Sequence, residues 1–332
     1  MLLGLAALGH PLLGPPRAAA DAASRVFVNG AAVPVLFHDG DSFRVLGGPY
    51  RGSPCRLAGF NTLETFGPVH QWGEWHPREL LVHAVRATRN AQRGVWHCRT
   101  DGAVDGYGRL LMDCPDLAVD QLRRGLAHAM EVDDRPARAA YLRAQREAVG
   151  ARRGMWAKGV PAFVMTSLHS AAEDLGRRVA YNRLVSVRDG HSERWAHGDT
   201  YPECTWVCHE EDRVDLARVT AVARRLREVV ARPEVGSLHL IEAVARFRRL
   251  GALPAYLAEG DAGAALRRAL LAMARDGGLG ELRRARGACA LYVAFERRYG
   301  RDRAACLRGE GTRPPPPDPL RARLLPLPGE GA

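Results

Sequence analysis

The stretch AVPVLFHDGDSFRVL, residues 32–46, has two short apolar-alternating runs on either side of Asp39, Gly40 and Asp41. Alternation of apolar and polar side chains indicates strands, and Asp and Gly are typical of the turn between them. The stretch therefore predicts a β-hairpin. Because a turn alone explains both carboxylates, a chemical role for Asp41 depends on residues that the fold brings to it from elsewhere.

Similar strand patterns occur on both sides of a predicted helix. The apolar-alternating runs are PCRLAGF (54–60), WHCRT (96–100) and RLLMDC (109–114). The intervening residues 77–92 place apolar side chains at helical spacing, with a proline at the start and Gly94 after the end. Further helices are predicted near 117–128 and 136–152. This order indicates a five-stranded barrel capped by helices, and the OB-fold is a barrel of this kind.

The second half of the chain has a different composition. Residues 161–210 are polar, with clustered aromatics and histidines, and we expect them to be irregular. Ala/Leu/Arg-rich helices are predicted at 213–231, 237–250, 262–275 and 280–299. The fold class is therefore α+β, an OB-fold barrel followed by a mainly α-helical domain. The predicted organisation is a leader or disordered segment at 1–24, the barrel domain at 25–160, an accessory domain of unassigned chemistry at 161–310 and a Pro-rich tail at 311–332.

The net charge of the 332-residue chain is +11, which suits a polyanionic partner. The charge is nearly all arginine, since Lys158 is the single lysine, so a compositional bias explains it equally well. The N-terminal residues resemble an export signal, with a short apolar run and Ala18-Ala19-Ala20, but without a basic start. We therefore expect a secreted or periplasmic protein, a monomer with no membrane span.

The seven cysteines leave at least one thiol outside intrachain disulfides. Cys98 and Cys114 flank one loop on neighbouring predicted strands, so they are either a disulfide or two small core residues. Disulfides joining Cys204 and Cys208 to Cys289 and Cys306 are predicted, with the connectivity open. A zinc site at Cys204, Cys208 and His209 is the weaker alternative, because no second Cys/His pair completes it. Cys55 is expected to be a buried thiol.

Three short stretches together supply what phosphodiester hydrolysis needs. Two arginines, Arg56 and Arg109, can bind phosphoryl oxygens by paired hydrogen bonds. Glu64 can orient or deprotonate an attacking water. Hard oxygen ligands of the kind that Ca²⁺ takes come from Asp41, Asn61 and the Thr62 carbonyl. The pattern predicts a phosphodiesterase site.

The order of these motifs resembles the staphylococcal nuclease (thermonuclease) family over residues 30–158. The matching features are DGD before a strand, RLAGFNTLE (56–64), a helix, YGR (107–109), GLA (125–127) and a closing GMW (154–156). The resemblance implies an OB-fold, a Ca²⁺ cofactor and hydrolysis of DNA and RNA to 3′-phosphate products. By position, Arg56, Glu64 and Arg109 match the family's catalytic residues, Asp41 and Thr62 its calcium ligands, and Tyr107 belongs to the turn that presents Arg109.

Several positions depart from the family pattern. Asn61 stands where the family has a second calcium aspartate, so the site has one negative charge fewer and we expect weaker calcium binding. Leu63 replaces a proline, and Gly106 replaces a lysine. The nucleotide-facing tyrosines after GLA are missing. Trp72 is a candidate replacement for stacking on nucleic acid, or else part of a packing cluster.

The sequence therefore predicts a Ca²⁺-dependent endonuclease of low sequence specificity, acting on DNA and/or RNA. In this prediction Glu64 activates water and Arg56 and Arg109 bind the phosphate. The alternative is a catalytically weak or inactive OB-fold module that binds nucleic acid or protein, which Asn61 and the missing tyrosines favour.

Overall fold

The hairpin at 32–46 forms as predicted in the computed structural model, which describes residues 25–66, 69–173, 180–213, 215–230, 234–280, 283–299 and 301–308. Strands β1 to β5 are Arg25–Val28, Ala31–Val33, Val35–Phe37, Ser42–Val45 and Pro54–Leu57. Strands β6 to β10 are Phe60–Thr62, His70–Gln71, Val95–Cys98, Leu110–Met112 and Ala127–Ala129. Strands β11 to β15 are Phe163–Ser167, Ala180–Ser186, Ser192–His197, Trp206–Arg213 and Arg283–Leu291. The predicted leader and Pro-rich tail lie outside the described residues.

The α-helices are α1 to α7 in chain order: Pro77–Arg93, Pro115–Arg123, Ala139–Gly150, Leu216–Leu226, Ser237–Leu250, Ala255–Ala258 and Gly260–Arg275. Helix α1 begins where the sequence predicts, because His76 caps it and Glu79 reaches back to the His76 backbone. Helix α2 ends earlier than predicted, since Gly125 has φ +66° and the chain then enters β10. None of the described helices combines the length and apolar character needed to cross a bilayer.

The described strands form five sheets, with orders β2-β1-β8, β3-β4-β5-β9, β10-β6, β11-β12-β13 and β14-β15-β7. The architecture is mixed α+β, and among the described strands no sheet closes into a barrel. Two strand runs of the predicted barrel are interrupted, one at Pro34 and one at Ala58-Gly59. Pro34 separates β2 from β3 and has no N–H to offer a ladder. Gly59 separates β5 from β6, with φ +86° and no room for a Cβ beside the Tyr141 ring.

One hydrophobic core nevertheless lies between the first sheets and helices α2 and α3. Phe43, Leu57, Met112, Leu117 and Tyr141 are among its fully buried side chains. Side chains from three sheets and from helices α2 and α3 therefore pack together, and this core fixes the position of the hairpin that carries Asp41.

The sequence predicts a mainly helical second half, but this half combines helices α4 to α7 with strands β11 to β15. Strands β11, β12 and β13 form an antiparallel meander in the region that the sequence predicts to be irregular, and Asp189-Gly190 lies in the turn between β12 and β13. The predicted helix at 280–299 is wrong, since β15 occupies this region and a short 3₁₀ helix, Phe295–Arg298, follows. Residues 288–291 of β15 are buried because this strand lies between β14 and β7, and local sequence does not encode these two partners.

Three disulfides join the described cysteines: Cys98–Cys114, Cys204–Cys306 and Cys208–Cys289. The predicted disulfides are confirmed. The pairing that the sequence left open is Cys204 with Cys306 and Cys208 with Cys289. The zinc alternative at Cys204 and Cys208 is wrong, because both sulfurs are in disulfides. Cys55 is a buried free thiol, as predicted. Three disulfides are consistent with a protein that matures in an oxidising compartment.

Candidate phosphodiesterase site

The hairpin turn places Asp41 against strand β5. The Asp39 carboxylate accepts hydrogen bonds from the Asp41 N–H (3.1 Å) and the Ser42 hydroxyl (2.6 Å), so Asp39 shapes the turn. Gly40 must be glycine here, since a Cβ would lie 2.6 Å from Thr62 Cγ2 and 2.7 Å from Ala87 Cβ. The turn therefore packs directly onto β6 and α1, with the Asp41 side chain buried.

Asp41, Arg56, Asn61 and Thr62 form one hydrogen-bonded cluster. The Arg56 guanidinium donates to Asp41 Oδ1 and to Asn61 Oδ1, both at 2.5 Å. The Thr62 N–H donates to Asp41 Oδ2 at 2.6 Å. Ser42 pairs with Arg56 across β4 and β5, which brings the neighbouring Asp41 within reach of the guanidinium. Four residues from two distant stretches thus meet at one point.

His128 completes the cluster and was not singled out from the sequence. It pairs with Asn61 across β10 and β6, and its Nε2 lies 3.4 Å from Asn61 Nδ2. Burial lowers the pKa of His128 to about 3, so the ring is neutral and can accept from the amide. Asn61 Nδ2 also donates to the Thr62 carbonyl at 2.8 Å. The Asn61 side chain is therefore fixed with its oxygen towards Arg56.

Glu64 follows this cluster on the loop after β6. Burial raises the pKa of its carboxyl, and the negative charge of Asp41 raises it further. Three arginines, Arg56, Arg298 and Arg109, lie near enough that their positive charges oppose this rise. A small cavity beside Glu64 is lined by Leu63, Val69, His70, Leu80 and Leu81. A carboxyl with a raised pKa in arginine surroundings is suited to general base catalysis.

Arg109 is held by Asp105 of the same loop. Its Nε donates to Asp105 Oδ2 at 2.7 Å, and its N–H donates to Asp105 Oδ1 at 3.0 Å. Gly108, with φ +73°, makes the turn between them. Tyr107 is 71% exposed, and the Arg109 guanidinium lies 5.5 Å from its ring centre. Asp105 is a second residue that the sequence prediction missed, although it lies only two residues before the YGR motif.

Trp72 does not lie at an accessible surface. It is 1% exposed, its Nε1 donates to the Gly159 carbonyl at 3.1 Å, and its ring is 6.3 Å from that of Trp156. The prediction that Trp72 stacks on nucleic acid is therefore wrong, because no face of the indole is open to a base. The alternative, that Trp72 belongs to a packing cluster, is confirmed. Among the site residues predicted from the sequence, Tyr107 keeps an exposed ring.

The oxygen atoms predicted to bind Ca²⁺ come together, but they do not fit the ion as they stand. Asp41 Oδ1 and Asn61 Oδ1 both accept from Arg56, and the Thr62 carbonyl accepts from Asn61. Ca²⁺ takes roughly six to eight oxygen ligands, whereas the charge of the buried Asp41 carboxylate is already balanced by the guanidinium. The Arg56 guanidinium, which donates to both Asp41 Oδ1 and Asn61 Oδ1, occupies the place between these two oxygens where a bound cation would lie.

A second charged cluster lies in the hairpin β12–β13 and on α5. Among the described residues, Asp189, His191 and Glu242 are the group whose ligand atoms are close enough to share a metal ion. However, His191 contacts Asp189 at 2.5 Å through Nδ1 and Glu193 at 3.0 Å through Nε2. An imidazole between two carboxylates holds both protons and has no lone pair for a metal. This cluster is a buried ion-pair network.

Comparison with known proteins does not place the chain in a family. No protein-family model matches the sequence, and no curated protein matches it. The thermonuclease resemblance and the function that it implies therefore stay predictions.

Proposed function

We propose that this protein hydrolyses phosphodiester bonds of nucleic acid at the site formed by Arg56, Glu64 and Arg109. The observation that carries the proposal is the position of Glu64. It lies two residues after Thr62, which is hydrogen-bonded into the Asp41–Arg56 cluster, and its carboxyl has a raised pKa on which the charges of Arg56 and Arg109 act. Arg56 lies in β5 and Arg109 directly precedes β9, and these strands pair in parallel although they are far apart in the sequence. A base beside two guanidiniums is the arrangement that phosphodiester hydrolysis requires.

In the proposed reaction the phosphate of a nucleic-acid strand lies between Arg56 and Arg109. Glu64 accepts a proton from water as the water oxygen bonds to phosphorus. The bond from phosphorus to the 5′-oxygen breaks, and the leaving alkoxide takes a proton from solvent, which gives a 3′-phosphate and a 5′-hydroxyl. The guanidiniums stabilise the charge that develops on the phosphoryl oxygens. Since the oxygen set does not fit Ca²⁺, no step is assigned to that ion.

Arg56 and Arg109 each have a carboxylate partner that a phosphate would replace or share. Arg56 is bound to Asp41, and Arg109 to Asp105. We propose that phosphate draws Arg109 away from Asp105, because the Arg109 side chain is about one-third exposed while that of Arg56 is largely buried. Arg56 then acts from a fixed position, and Arg109 closes on the substrate.

We further propose that the first three sheets are parts of one OB-like barrel, interrupted at Pro34 and Gly59. The support is the single core that they share with α2 and α3. Export to an oxidising compartment is proposed with it, supported by the three disulfides.

The test is nicking of supercoiled plasmid by the purified protein, with parallel reactions in excess Ca²⁺ and in chelator. We expect cleavage by the wild type, an at least 100-fold slower rate for Glu64→Gln, and wild-type activity for Glu74→Gln, an exposed glutamate outside the site. Cleavage in chelator would agree with the poor fit of the oxygens to calcium. Equal rates for the two glutamine variants would overturn the proposed role of Glu64.

The second candidate is a nucleic-acid-binding module without catalysis. The pairing of both arginines with carboxylates favours it, because each guanidinium is already engaged within the protein. This candidate predicts salt-sensitive binding of DNA or RNA with no cleavage at any calcium concentration.

A further inference from the structure

The C-terminal part of the chain reaches the candidate site through strand β15. This strand pairs with β7, placing Ala290 opposite His70, and the Leu291 N–H donates to the Val69 carbonyl at 2.9 Å. Val69 and His70 follow shortly after Glu64 in the sequence. The chain that leaves β15 therefore runs beside the loop that carries Glu64.

Three exposed aromatic rings meet where this chain passes the loop. The Tyr299 ring centre lies 6.2 Å from that of Phe66 and 5.7 Å from that of Phe295. Their exposed fractions are 46% for Tyr299, 43% for Phe66 and 65% for Phe295. Large aromatic rings that stay half-exposed in a cluster leave apolar faces available to a ligand. We call Phe66, Phe295 and Tyr299 the aromatic wall.

The aromatic wall lies beside the candidate site, since Phe66 follows Glu64 by two residues and its ring contacts that of Tyr299. The Tyr299 hydroxyl has a raised pKa, first through burial and then through the negative charge of Glu64, while Arg109 acts in the opposite direction. Arg298, the residue before Tyr299, is one of the three arginines whose charge acts on Glu64. Apolar ring faces beside arginines suit one chemical class of ligand, a base attached to a phosphate.

The segment that carries Phe295 and Tyr299 of the wall is held in place at both ends. The Arg298 Nε donates to the Val293 carbonyl at 3.0 Å, and the Ala304 N–H donates to the Arg297 carbonyl at 2.9 Å. Arg297 also pairs with Glu203 at 3.0 Å. Two disulfides fix the regions before and after the segment, Cys208–Cys289 and Cys204–Cys306. The rings are therefore presented on a constrained segment, which lowers the entropy cost of binding.

We propose that the aromatic wall stacks on a base of the single-stranded nucleic acid whose phosphate is bound at Arg56 and Arg109. The inference rests on the proposed function and assigns base contact to the C-terminal part of the chain. Tyr299 is its central ring, since it contacts both of the others. Stacking on a ring does not read base identity, so the wall contributes affinity without sequence specificity.

The test separates base contact from phosphate contact with two fluorescent strands of equal length, oligothymidylate and an abasic deoxyribose-phosphate strand. Their charges are equal, and only the first has bases. We expect the wild type to bind oligothymidylate about 10-fold more tightly, a difference that reflects stacking on the wall. Tyr299→Ala should remove most of this difference, Tyr299→Phe should keep it, and Val132→Ala, an exposed site elsewhere, should leave it unchanged.

Phe66→Ala is a second variant on a different segment, and it should reduce the same difference if Tyr299→Ala disturbs folding. Equal affinity of the wild type for both strands, with cleavage intact, would overturn the inference and leave the proposed function standing. Failure to bind or cleave either strand would overturn both. A wild-type dimer that Tyr299→Ala converts to monomers, with strand affinities unchanged, would show that the wall contacts a second copy of the chain and would overturn the inference.

Discussion

Asn61 determines the affinity of the candidate site for divalent cations. Its amide oxygen accepts from Arg56, and its amide nitrogen faces the Thr62 carbonyl and the neutral ring of His128. An aspartate at this position has no N–H for the last two partners. It also places a second negative charge beside Asp41. One guanidinium would then be insufficient to balance the cluster, and a divalent cation becomes the better counterion.

Asn61→Asp is therefore expected to tighten Ca²⁺ binding by at least about 10-fold, or roughly 1.4 kcal/mol. Calorimetric titration with Ca²⁺ measures this directly. The matched control is Asn90→Asp, which adds a carboxylate beside Asp120 outside the site, where Asn90 now donates at 2.7 Å. Equal calcium affinity in the two variants would show that the gain comes from added charge alone.

Apart from Asp105, which is local to the Arg109 turn, the sequence predicts the members of the site that belong to contiguous motifs and misses those that arrive by tertiary pairing. Asp41, Arg56 and Asn61 are recognisable because the turn and the strand motif are local. The part played by His128 depends on its pairing with Asn61, and Tyr299 reaches the site only through β15. Local pattern contains no information on either pairing, so these residues become visible only in the folded chain.

Among the helices and strands, too, elements with local sequence signals are predicted correctly, whereas strands of the second half that depend on tertiary pairing are not. Helix α5 has the predicted bounds, Ser237–Leu250, and ends at Gly251 with φ +65°, a signal that is local. Strand β15 has a helix-like composition, but Gly287 allows close approach to β14, where a Cβ would lie 2.4 Å from the His209 carbonyl oxygen. The neighbouring strands override helix propensity there.

The hairpin β12–β13 contains a protonated histidine whose titration affects stability. Burial alone lowers the pKa of His191, but the charges and hydrogen bonds of Asp189 and Glu193 raise it to about 10. Between pH 6.5 and 10 the folded state keeps a proton that the unfolded state loses, so stability falls as pH rises through this window. The slope approaches about 1.4 kcal/mol per pH unit.

We expect urea denaturation between pH 6.5 and 8.5 to show this fall for the wild type. His191→Gln should show a flatter dependence, because glutamine does not titrate. His76→Gln, at the exposed cap of α1, is the control and should keep the wild-type slope. A wild-type slope in His191→Gln would contradict the assignment of the proton to His191.

The disulfide Cys98–Cys114 closes the loop that carries Arg109. Its sequence separation is 16, and closing a loop of this length stabilises a protein by about 3 kcal/mol through the entropy of the unfolded chain. Replacing both cysteines by alanine should lower the free energy of unfolding by this amount, measured by chemical denaturation without reductant. Cys55→Ala, which removes a buried free thiol, is the control. A loss no larger than in Cys55→Ala would contradict the account.

At the scale of the whole molecule, the two halves of the chain share a hydrophobic core. Trp72, Trp156 and Leu80 from the first half pack in one cluster with Val187 and Ala288 from the second. Hydrogen bonds also join the halves, such as Gln145 Nε2 to the Val187 carbonyl at 2.5 Å. The second half therefore supports the site-bearing part as well as contacting the candidate site.

A fragment containing residues 25–160 is therefore expected to lose cooperative unfolding. Without β15, strand β7 has no partner, and the cores around Trp72 and Trp156 are exposed to water. Near-ultraviolet circular dichroism during heating compares the fragment with the full chain. A fragment that melts cooperatively at the temperature of the full chain would show that the first half is an independent folding unit.

The central claim is that Glu64 acts as the base in phosphodiester hydrolysis at a phosphate held by Arg56 and Arg109. The most direct measurement is single-turnover cleavage of a fluorescent single-stranded oligonucleotide by the wild type and Glu64→Gln, with Kd measured on the same strand. The account predicts that Glu64→Gln reduces the cleavage rate about 10²- to 10⁴-fold, the typical contribution of a general base, while Kd changes little. An unchanged cleavage rate in Glu64→Gln, or a wild type that binds the strand without cleaving it, would contradict the account.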